Sequence, residues 1–423
     1  MTTRAWLLAV GGVFLLAATY SLAAAPPDAG TDRSQVASVA CPRCGWAPPA
    51  TRVTQTARNV AELMTLVGHV VPGTTILLED GEYRLPSTID LLVPDVVLRS
   101  KSGDPTKVIL RGAGMDERQV GVALSLSAPR LTIADVTVGY VGYHGIQVRG
   151  ERLVSNVVLH NIRVVDTGQQ LVKGSSGGGG FSENILVACS TFEYADHAPS
   201  NYTNGVDVLG GKGWHVRDNR FLRIRGPERD GWKAGPAILF WGGSQDTLVE
   251  RNLILDSFRD IAFGLGPAAA PPEYTRPGMG RLDHARGAIR NNVIRNLNPW
   301  ADEGIEANAA AAFGIDHNTV LVNGLPWAIS VRFPESDGKV RNNLTSRAIL
   351  LRDGGKAGMK ANVETAGPDW FVNPGATDFH LSVRGRPAID AAEALPDITD
   401  DFYRRPRKVG RGADAGAVEQ GPN

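Results

Sequence analysis

A four-residue pattern recurs along the chain as Val216-Arg217-Asp218-Asn219, Val249-Glu250-Arg251-Asn252, Ile289-Arg290-Asn291-Asn292, Ile315-Asp316-His317-Asn318 and Val340-Arg341-Asn342-Asn343. Each copy consists of an apolar residue, two polar residues and an asparagine. Weaker copies place Asn161 and Ser190 at the same position, so the successive separations are 29, 29, 33, 40, 26 and 25 residues. A repeat of this length, made of short strands and turns, is typical of a solenoid in which each coil stacks on the next.

An asparagine at one turn of every coil predicts a ladder, because its amide can bond to groups of the coils above and below. Between about residues 73 and 385, short β-branched runs alternate with Gly, Asn and Asp, and helical periodicity is almost absent. The alternatives are a β-sandwich or a propeller, but a propeller would show a more constant period and four strands per repeat. The sequence therefore predicts an all-β fold, a right-handed parallel β-helix.

The two ends of such a solenoid need covers, because an open terminal coil exposes unpaired strand edges. Val60, Leu63, Met64 and Val67 share one helical face, so we predict a capping helix over residues 57–68. An irregular segment rich in Asp, Arg and Gly, from about residue 371, is predicted to cover the last coil.

The first 25 residues are typical of a secretory signal peptide. Arg4 precedes an apolar run that ends in small residues, and no positive stop-transfer cluster follows. A membrane anchor is the alternative, since the run is nearly long enough to span a bilayer. We predict a signal peptide over 1–25, a Pro/Ala-rich linker over 26–50 and one β-helix domain over 51–423. The mature chain would then be secreted or periplasmic in a bacterium, without a membrane span.

Charge and cysteine content narrow the partners. The chain has 44 basic and 44 acidic residues, and without a basic excess we predict no nucleic-acid partner. Three cysteines cannot supply the four ligands of a structural zinc site. We predict a local disulfide between Cys41 and Cys44, and Cys189 as a small buried hydrophobe. We expect a monomer.

Both ends of the repeat region carry a resemblance. The stretch from Leu63 to Tyr83, which includes Val71-Pro72-Gly73-Thr74-Thr75-Ile76 and Asp80-Gly81-Glu82-Tyr83, resembles the opening of bacterial right-handed β-helix proteins, among them chondroitin and alginate lyases. Phe371-Val372-Asn373-Pro374, Asp378-Phe379-His380-Leu381 and Asp414-Ala415-Gly416-Ala417-Val418-Glu419 resemble their closing segment. The resemblance implies the fold and export. It matches no catalytic motif, and fold alone does not determine activity.

A second strand follows the asparagine turn in many coils, and its alternation predicts a solvent-facing sheet. The first outward row comprises Gln147, Asp207, Leu239, Glu306 and Ser330, and the next comprises Arg149, Leu209, Trp241, Asn308 and Arg332. Enlarged loops at 194–204, 226–236 and 266–286 flank these strands. Their Arg, Lys, His, Tyr and Trp residues favour an acidic polysaccharide as partner. The predicted substrate-binding residues are Arg149, Arg229, Trp232, Trp241, Asn308 and Arg332.

The polygalacturonase family offers a first test of activity. Ser200-Asn201-Tyr202-Thr203-Asn204-Gly205-Val206-Asp207-Val208 is similar to the Asn-Thr-Asp-Gly-Ile-Asp strand of that family, but Asn204 replaces its first catalytic Asp. The later motifs of the family are missing as well. Inverting hydrolysis needs two positioned carboxyl groups, so this mechanism is not supported.

β-Elimination from a uronate polymer needs a base for the C5 proton, a cation for the carboxylate and an acid for the leaving oxygen. We predict Lys233 as the base, with Arg286 or His284 as neutralising or assisting group. Calcium is an expected cofactor, with Asp207 and Glu306 as predicted ligands and Asp302 or Glu303 as further oxygen donors. The leading hypothesis is a polysaccharide lyase or C5-epimerase. The alternatives are a non-catalytic glycan-binding or envelope β-helix and a glycoside hydrolase.

Overall fold

A computed structural model describes residues 45–407 and 410–420, and within them the chain winds into stacked coils. In these residues three parallel sheets of 14, 10 and 10 strands run the length of the solenoid, here named sheets A, B and C. Each coil passes from sheet A to sheet B to sheet C before it returns to sheet A. This is the predicted right-handed parallel β-helix.

The strands are short. Sheet A contains Val53–Ala57, Thr74–Leu78, Val96–Ser100, Thr132–Ala134, Val158–His160, Leu186–Ala188, His215–Arg217, Ser244–Gln245, Leu248–Glu250, His284–Ala285, Ala288–Arg290, Ala310–Asp316, Asp337–Arg341 and Lys356–Lys360. Sheet B contains Gly81–Arg84, Val108–Arg111, Thr137–Val141, Arg163–Thr167, Thr191–Glu193, Arg220–Leu222, Leu253–Leu255, Val293–Asn296, Thr319–Val322 and Leu344–Thr345. Sheet C contains Ile89–Leu91, Val122–Leu126, His144–Arg149, Val172–Ser175, Val206–Leu209, Pro236–Trp241, Arg259–Phe263, Ile305–Asn308, Trp327–Arg332 and Ala348–Arg352.

Inside the coils, apolar side chains stack in columns. Ile238, Ile261, Ile305 and Ile329 occupy one such column on sheet C, since each pairs in register with the next, and all four are fully buried. Burial of a large aliphatic side chain contributes about 1.5–3 kcal/mol. Trp214, which we interpreted as packed, is fully buried in the same core.

The predicted asparagine ladder is confirmed at the turn between sheets A and B. The amide Nδ2 of each asparagine donates to Oδ1 of the next at 3.0 Å, and the same Oδ1 accepts a backbone N–H. The ladder runs through Asn219, Asn252, Asn292, Asn318 and Asn343, and ends at Asn362, which the repeat pattern did not identify. Ser190 occupies the ladder position of an earlier coil, as predicted, and accepts the N–H of Ile162. The prediction for Asn161 is off by one residue, because Ile162 is in register with Ser190 and Asn161 bonds to Asp135 instead.

The predicted N-terminal helix is also confirmed, as Val60–His69. Asn59 begins it by accepting the N–H of Glu62, whose carboxylate in turn accepts the N–H of Arg58. This reciprocal pairing satisfies N–H groups that a helix start leaves free. Leu63 is buried in the core of the solenoid, so the helix covers its N-terminal end.

The C-terminal segment covers the outer face of sheet B. Its apolar residues, among them Phe379 and Leu381, pack against that face, and its Glu393 pairs with Lys360 in the last strand of sheet A. Coverage of the last coil by this segment stays a prediction. The physical reason for the packing on sheet B is that this sheet turns Leu222, Leu253, Leu255, Val293, Leu321 and Leu344 outward, and these side chains need a cover. The segment also contains the antiparallel strands Phe371–Asn373 and Asp378–Leu381. Short 3₁₀ helices occur at Gly150–Arg152, Glu228–Asp230, Pro272–Tyr274, Pro368–Trp370, Pro374–Ala376 and Val383–Ala388.

Several predictions fall on the N-terminal part of the chain. The signal peptide, most of the linker, Cys41 and Cys44 lie outside the described residues. Cys189 forms a disulfide bond, which corrects its interpretation as a small buried hydrophobe. Trp46, at the end of the predicted linker, stacks on His160 with ring centroids 4.4 Å apart, so this part of the linker packs on the solenoid. None of the helices in the described part of the chain has the length and hydrophobicity needed to cross a membrane.

Candidate active site

Sheet C carries the predicted outward row in one register. Gln147 pairs with Lys173, Lys173 with Asp207, and Asp207 with Leu239. The same row continues through Ala262, Glu306 and Ser330. The alignment of the predicted residues is therefore confirmed, and two positions that the sequence analysis missed, Lys173 and Ala262, belong to it.

The centre of this row is buried, which corrects the expectation that its members are exposed. Asp207, Leu239 and Glu306 are 2%, 4% and 3% exposed. Their neighbours cover them, since Trp241 bonds to Asp207 and Arg259 lies against Glu306. A polymer on sheet C would therefore contact the residues that surround the row more than the row itself.

Two edges bound this sheet. The loops at 194–204 and 226–236 lie on the edge where the chain enters sheet C from sheet B, and the 266–286 loop follows the strand Arg259–Phe263 on the edge towards sheet A. The strand Pro236–Trp241 has 6 residues and spans roughly 17 Å between the two edges. Lys233 precedes this strand, whereas Arg286 lies beyond the opposite edge. The predicted convergence of Lys233 with Arg286 is not what the structure shows.

His284 is not a surface residue. It is fully buried, and its ring stacks on Phe263 with centroids 3.9 Å apart. Burial lowers the pKa of His284 to about 3, so the ring is neutral at physiological pH. Arg286 pairs with Asp246 at 2.7 Å. Neither residue is therefore placed to act with Lys233. The sequence analysis missed this because charges in a loop do not reveal which edge of a sheet the loop reaches.

Lys233 lines an open pocket of about 380 Å³, together with Asn201, Ala234, Gly235, Phe258, Arg259 and Asp302. The pocket has a simple origin in loop length. In one coil the turn between Leu253–Leu255 and Arg259–Phe263 is short, whereas the 226–236 loop before it and the 297–304 loop after it are long. The short turn leaves a notch between two walls.

A network of carboxylates and arginines lies behind the pocket. Arg259 donates through Nε to Asp302 at 2.9 Å, and the same nitrogen lies 2.9 Å from Glu306. Glu303 accepts a hydrogen bond from Ser330 and lies 3.4 Å from Arg352. Three acidic groups thus share two arginines.

Glu303 is the titrating member of this network at neutral pH. Its side chain is 5% exposed. Burial and the neighbouring Glu306 carboxylate raise the pKa of Glu303 to about 7. Burial also raises the pKa of Glu306, although Arg259 opposes this effect. A carboxyl group that holds its proton near pH 7 is suited to general acid catalysis.

The wall beside Lys233 is aromatic. The ring of Trp232 lies 5.8 Å from that of Trp300, in the loop two coils further on, and Arg225 lies 4.5 Å above the Trp232 ring. The two indole rings therefore meet over the short turn of the coil between them. Trp232 adopts a φ of 64°, a left-handed conformation that costs a bulky residue roughly 1–3 kcal/mol. Strain of this kind is common where a binding site fixes its side chains.

The two predicted calcium ligands cannot share an ion. The strands of Asp207 and Glu306 are separated by two other strands, which places them roughly 14 Å apart. Oxygen ligands of one calcium ion lie 2.3–2.6 Å from it. Within the described residues, no group of three or more His, Cys, Asp or Glu side chains is arranged to hold a metal.

The predicted substrate-binding residues differ in accessibility. Asn308 is 1% exposed and donates to Glu306, so it has a structural role instead. Arg149 pairs with Glu151 and Arg332 with Asp353, at 2.6 and 2.7 Å. Arg229 is exposed and donates to the Pro199 carbonyl. By contrast, Lys233 is exposed and forms no ion pair or side-chain hydrogen bond with any described residue.

Arg259 and Lys173 are the charged residues that the sequence analysis missed. The strands predicted from the sequence begin with Gly or Ala, as in Gly205-Val206-Asp207-Val208, whereas the strands that contain Lys173 and Arg259 do not. Spacing from the asparagine turn does not locate such residues, because the distance from the turn to the outward row varies from 10 residues (Asn252 to Ala262) to 20 residues (Asn219 to Leu239). Their pairing with carboxylates carried no sequence signal.

The raised pKa of Glu303 leads to a stability prediction. A carboxyl group whose folded-state pKa exceeds its unfolded value stabilises the fold only while it is protonated, so this contribution is lost as pH rises from 4.5 to about 7. Relative to Glu303→Gln, the wild type should lose about 2 kcal/mol of unfolding free energy between pH 5.5 and 8.5. Urea unfolding at both pH values measures this.

The control is exposed Glu273, where exchange to Gln should change stability by less than about 0.5 kcal/mol at either pH. An equal response of wild type and Glu303→Gln to pH would show that Glu303 does not titrate in this range.

Comparison with solved structures supports the fold of this chain. It has the fold of solved β-helix polysaccharide lyase structures, but at low sequence identity. A pectate lyase, Pel9A, superimposes with a TM-score of 0.56 at 14% identity over 88% of this chain and 97% of the other. An alginate lyase from Paenibacillus sp. str. FPU-7 does so with a TM-score of 0.52 at 15% identity, over 72% and 99% of the two chains. No protein-family model matches the sequence, and no curated protein does.

Proposed function

We propose that this protein is a polysaccharide lyase or C5-epimerase that acts on a uronate-containing glycan at the pocket beside Lys233. The observation that carries the proposal is the position of Lys233, which lines an open pocket with Arg259 and Asp302 and forms no ion pair or side-chain hydrogen bond with any described residue. The similar solved structures include enzymes named for pectate and alginate, which are uronate polymers.

The residues that line the pocket can supply both the base for the C5 proton and the cation for the substrate carboxylate. The neutral amine of Lys233 takes the C5 proton, the C5–H electron pair forms the C4–C5 double bond, and the C4–O bond breaks. Arg259, which lines the pocket, takes the role that we first gave to Arg286, because its guanidinium has N–H donors beyond those bonded to Asp302 and can also pair with a substrate carboxylate. An epimerase would instead return a proton to the other face of C5.

The leaving oxygen needs a proton. Asp302 lines the pocket, and Glu303, the next residue, holds a proton near neutral pH because burial raises its pKa to about 7. We assign the supply of this proton to the Asp302–Glu303 pair. The same carboxyl groups favour glycoside hydrolysis as a second candidate, since hydrolases pair a protonated acid with an ionised carboxylate.

The deciding experiment follows the products formed from alginate, pectate, chondroitin and glucuronan, each with added calcium and with a chelator, because a calcium requirement stays a prediction. Absorbance of unsaturated uronates would support a lyase, and NMR of the recovered polymer would detect an epimerase. New reducing ends without unsaturation would instead indicate a hydrolase. Retention of a polymer without any product would identify a binding module.

A further inference from the structure

A buried ion pair lies on the outer face of sheet C, away from the core. Lys173 and Asp207 pair in register on neighbouring strands, with 2.6 Å between Nζ and Oδ2. Their side chains are 8% and 3% exposed. Desolvation makes such a pair a weak source of stability, and two apolar side chains would often serve better. Stability alone therefore does not account for this pair.

The pair holds an indole. The Nε1–H of Trp241 donates to the second oxygen of Asp207 at 2.8 Å, and the Lys173 ammonium lies 6.0 Å from the indole centre. On the next strand, Phe240 pairs with Phe263, so the position beside Trp241 is Gly264. A side chain is excluded there, because a Cβ would lie 1.9 Å from the Asn308 carbonyl oxygen. Gly264 therefore places no side chain beside Trp241, which is partly exposed.

We propose that Trp241 is a stacking platform for a pyranose ring, and that Asp207 and Lys173 are the positioning residues that fix its indole. The polar edge of the ring is satisfied by Asp207, so a face remains for the C–H groups of a sugar. Asp207, which we predicted as a calcium ligand, thus orients the platform through both of its oxygens.

The platform also sets the direction of the polymer. Trp241 ends the strand Pro236–Trp241, and the pocket beside Lys233 lies at its start, so the two are separated by roughly 17 Å across sheet C. A polymer that reaches both therefore runs along the strand direction, across the width of sheet C, and spans several sugar units. This inference rests on the proposed function only for the class of ligand, a pyranose polymer.

Affinity electrophoresis tests the platform. The Lys233→Ala protein, which should not degrade its ligand, is run in gels that contain pectate, alginate or neutral hydroxyethylcellulose, with and without Trp241→Ala. Loss of Trp241 should weaken retention by the bound polymer about tenfold, the scale of one good aromatic contact. Trp46→Ala is the control and should leave retention unchanged, because Trp46 stacks on His160 of sheet A and not on sheet C. Equal retention with and without Trp241 would overturn the inference.

A matched pair of double variants tests the positioning residues. Lys173→Met with Asp207→Asn keeps an acceptor for the indole N–H, so retention should stay within about twofold. Lys173→Met with Asp207→Leu removes the acceptor at similar volume and should weaken retention about fivefold. Thermal unfolding is measured alongside, because a purely structural role would lower the melting temperature of both variants and leave their retention equal. That result would overturn the assignment of Asp207.

The outcomes separate this inference from the proposed function. Trp241-dependent retention of neutral hydroxyethylcellulose, with no turnover of any uronate polymer, supports the platform and contradicts the lyase proposal. Turnover that depends on Lys233 but retention that ignores Trp241 supports the lyase proposal and contradicts the platform.

Discussion

Lys233→Ala is expected to lower kcat on the uronate polymer by about 10²- to 10⁴-fold, the usual contribution of a general base. KM should change little, because the base acts mainly in the transition state. The pocket supports this split: Arg259 and Asp302 remain to bind the sugar after Lys233 is removed. Initial rates of unsaturated-uronate formation over a range of polymer concentrations measure both constants.

Two control variants separate this effect from a general loss of positive charge. Lys356→Ala removes an exposed lysine from the last strand of sheet A, and Arg286→Ala removes the arginine beyond the opposite edge of sheet C. Both should keep kcat within about twofold. A fully active Lys233→Ala protein would assign the base to another residue, and an inactive Arg286→Ala protein would contradict the separation of the two edges.

Asn292→Leu is expected to destabilise the solenoid by roughly 4 kcal/mol or more. Asn292 accepts two hydrogen bonds from Asn252 and donates to Asn318 and to the Val249 carbonyl, all in the buried turn. Leucine has a similar volume but leaves several of these groups without partners, and each costs about 1–3 kcal/mol. Urea or thermal unfolding measures the difference.

Asn362 provides the comparison, because it ends the ladder. It is only partly buried and receives bonds from one neighbour, Asn343. Asn362→Leu should therefore cost less than half as much as Asn292→Leu. Where the Asn292→Leu protein does not fold, Asn292→Ser provides a milder test, because a hydroxyl can still accept and donate, and Ser190 accepts the N–H of Ile162 at the equivalent position of an earlier coil. Equal stability of wild type and Asn292→Leu would contradict an energetic role for the ladder.

From the sequence, only the class of ligand could be predicted, and this prediction depended on the composition of the loops. The loops rich in Arg, Trp and Lys indicated a sugar polymer, and Lys233 does line a pocket. The sequence did not predict which acidic residue pairs with each basic residue, because these ion pairs form between residues that are distant in sequence. Examples are Arg286 with Asp246, Arg332 with Asp353, and Lys173 with Asp207. Each of these contacts pairs a positive charge that the sequence alone would leave free for a ligand.

The sequence by itself determined the coil. The repeat period, the alternation along each strand and the asparagine positions are local properties of the sequence. In a parallel coil, residues at equivalent repeat positions lie above one another, as Asn219 and Asn252 do. Only the tertiary structure decided the site. Whether Asp207 is a ligand or a support depends on Trp241 and Lys173, and whether Lys233 meets a cation depends on which edge of sheet C each loop reaches. These contacts join residues about one to three coils apart, and local sequence patterns carry no record of such distances.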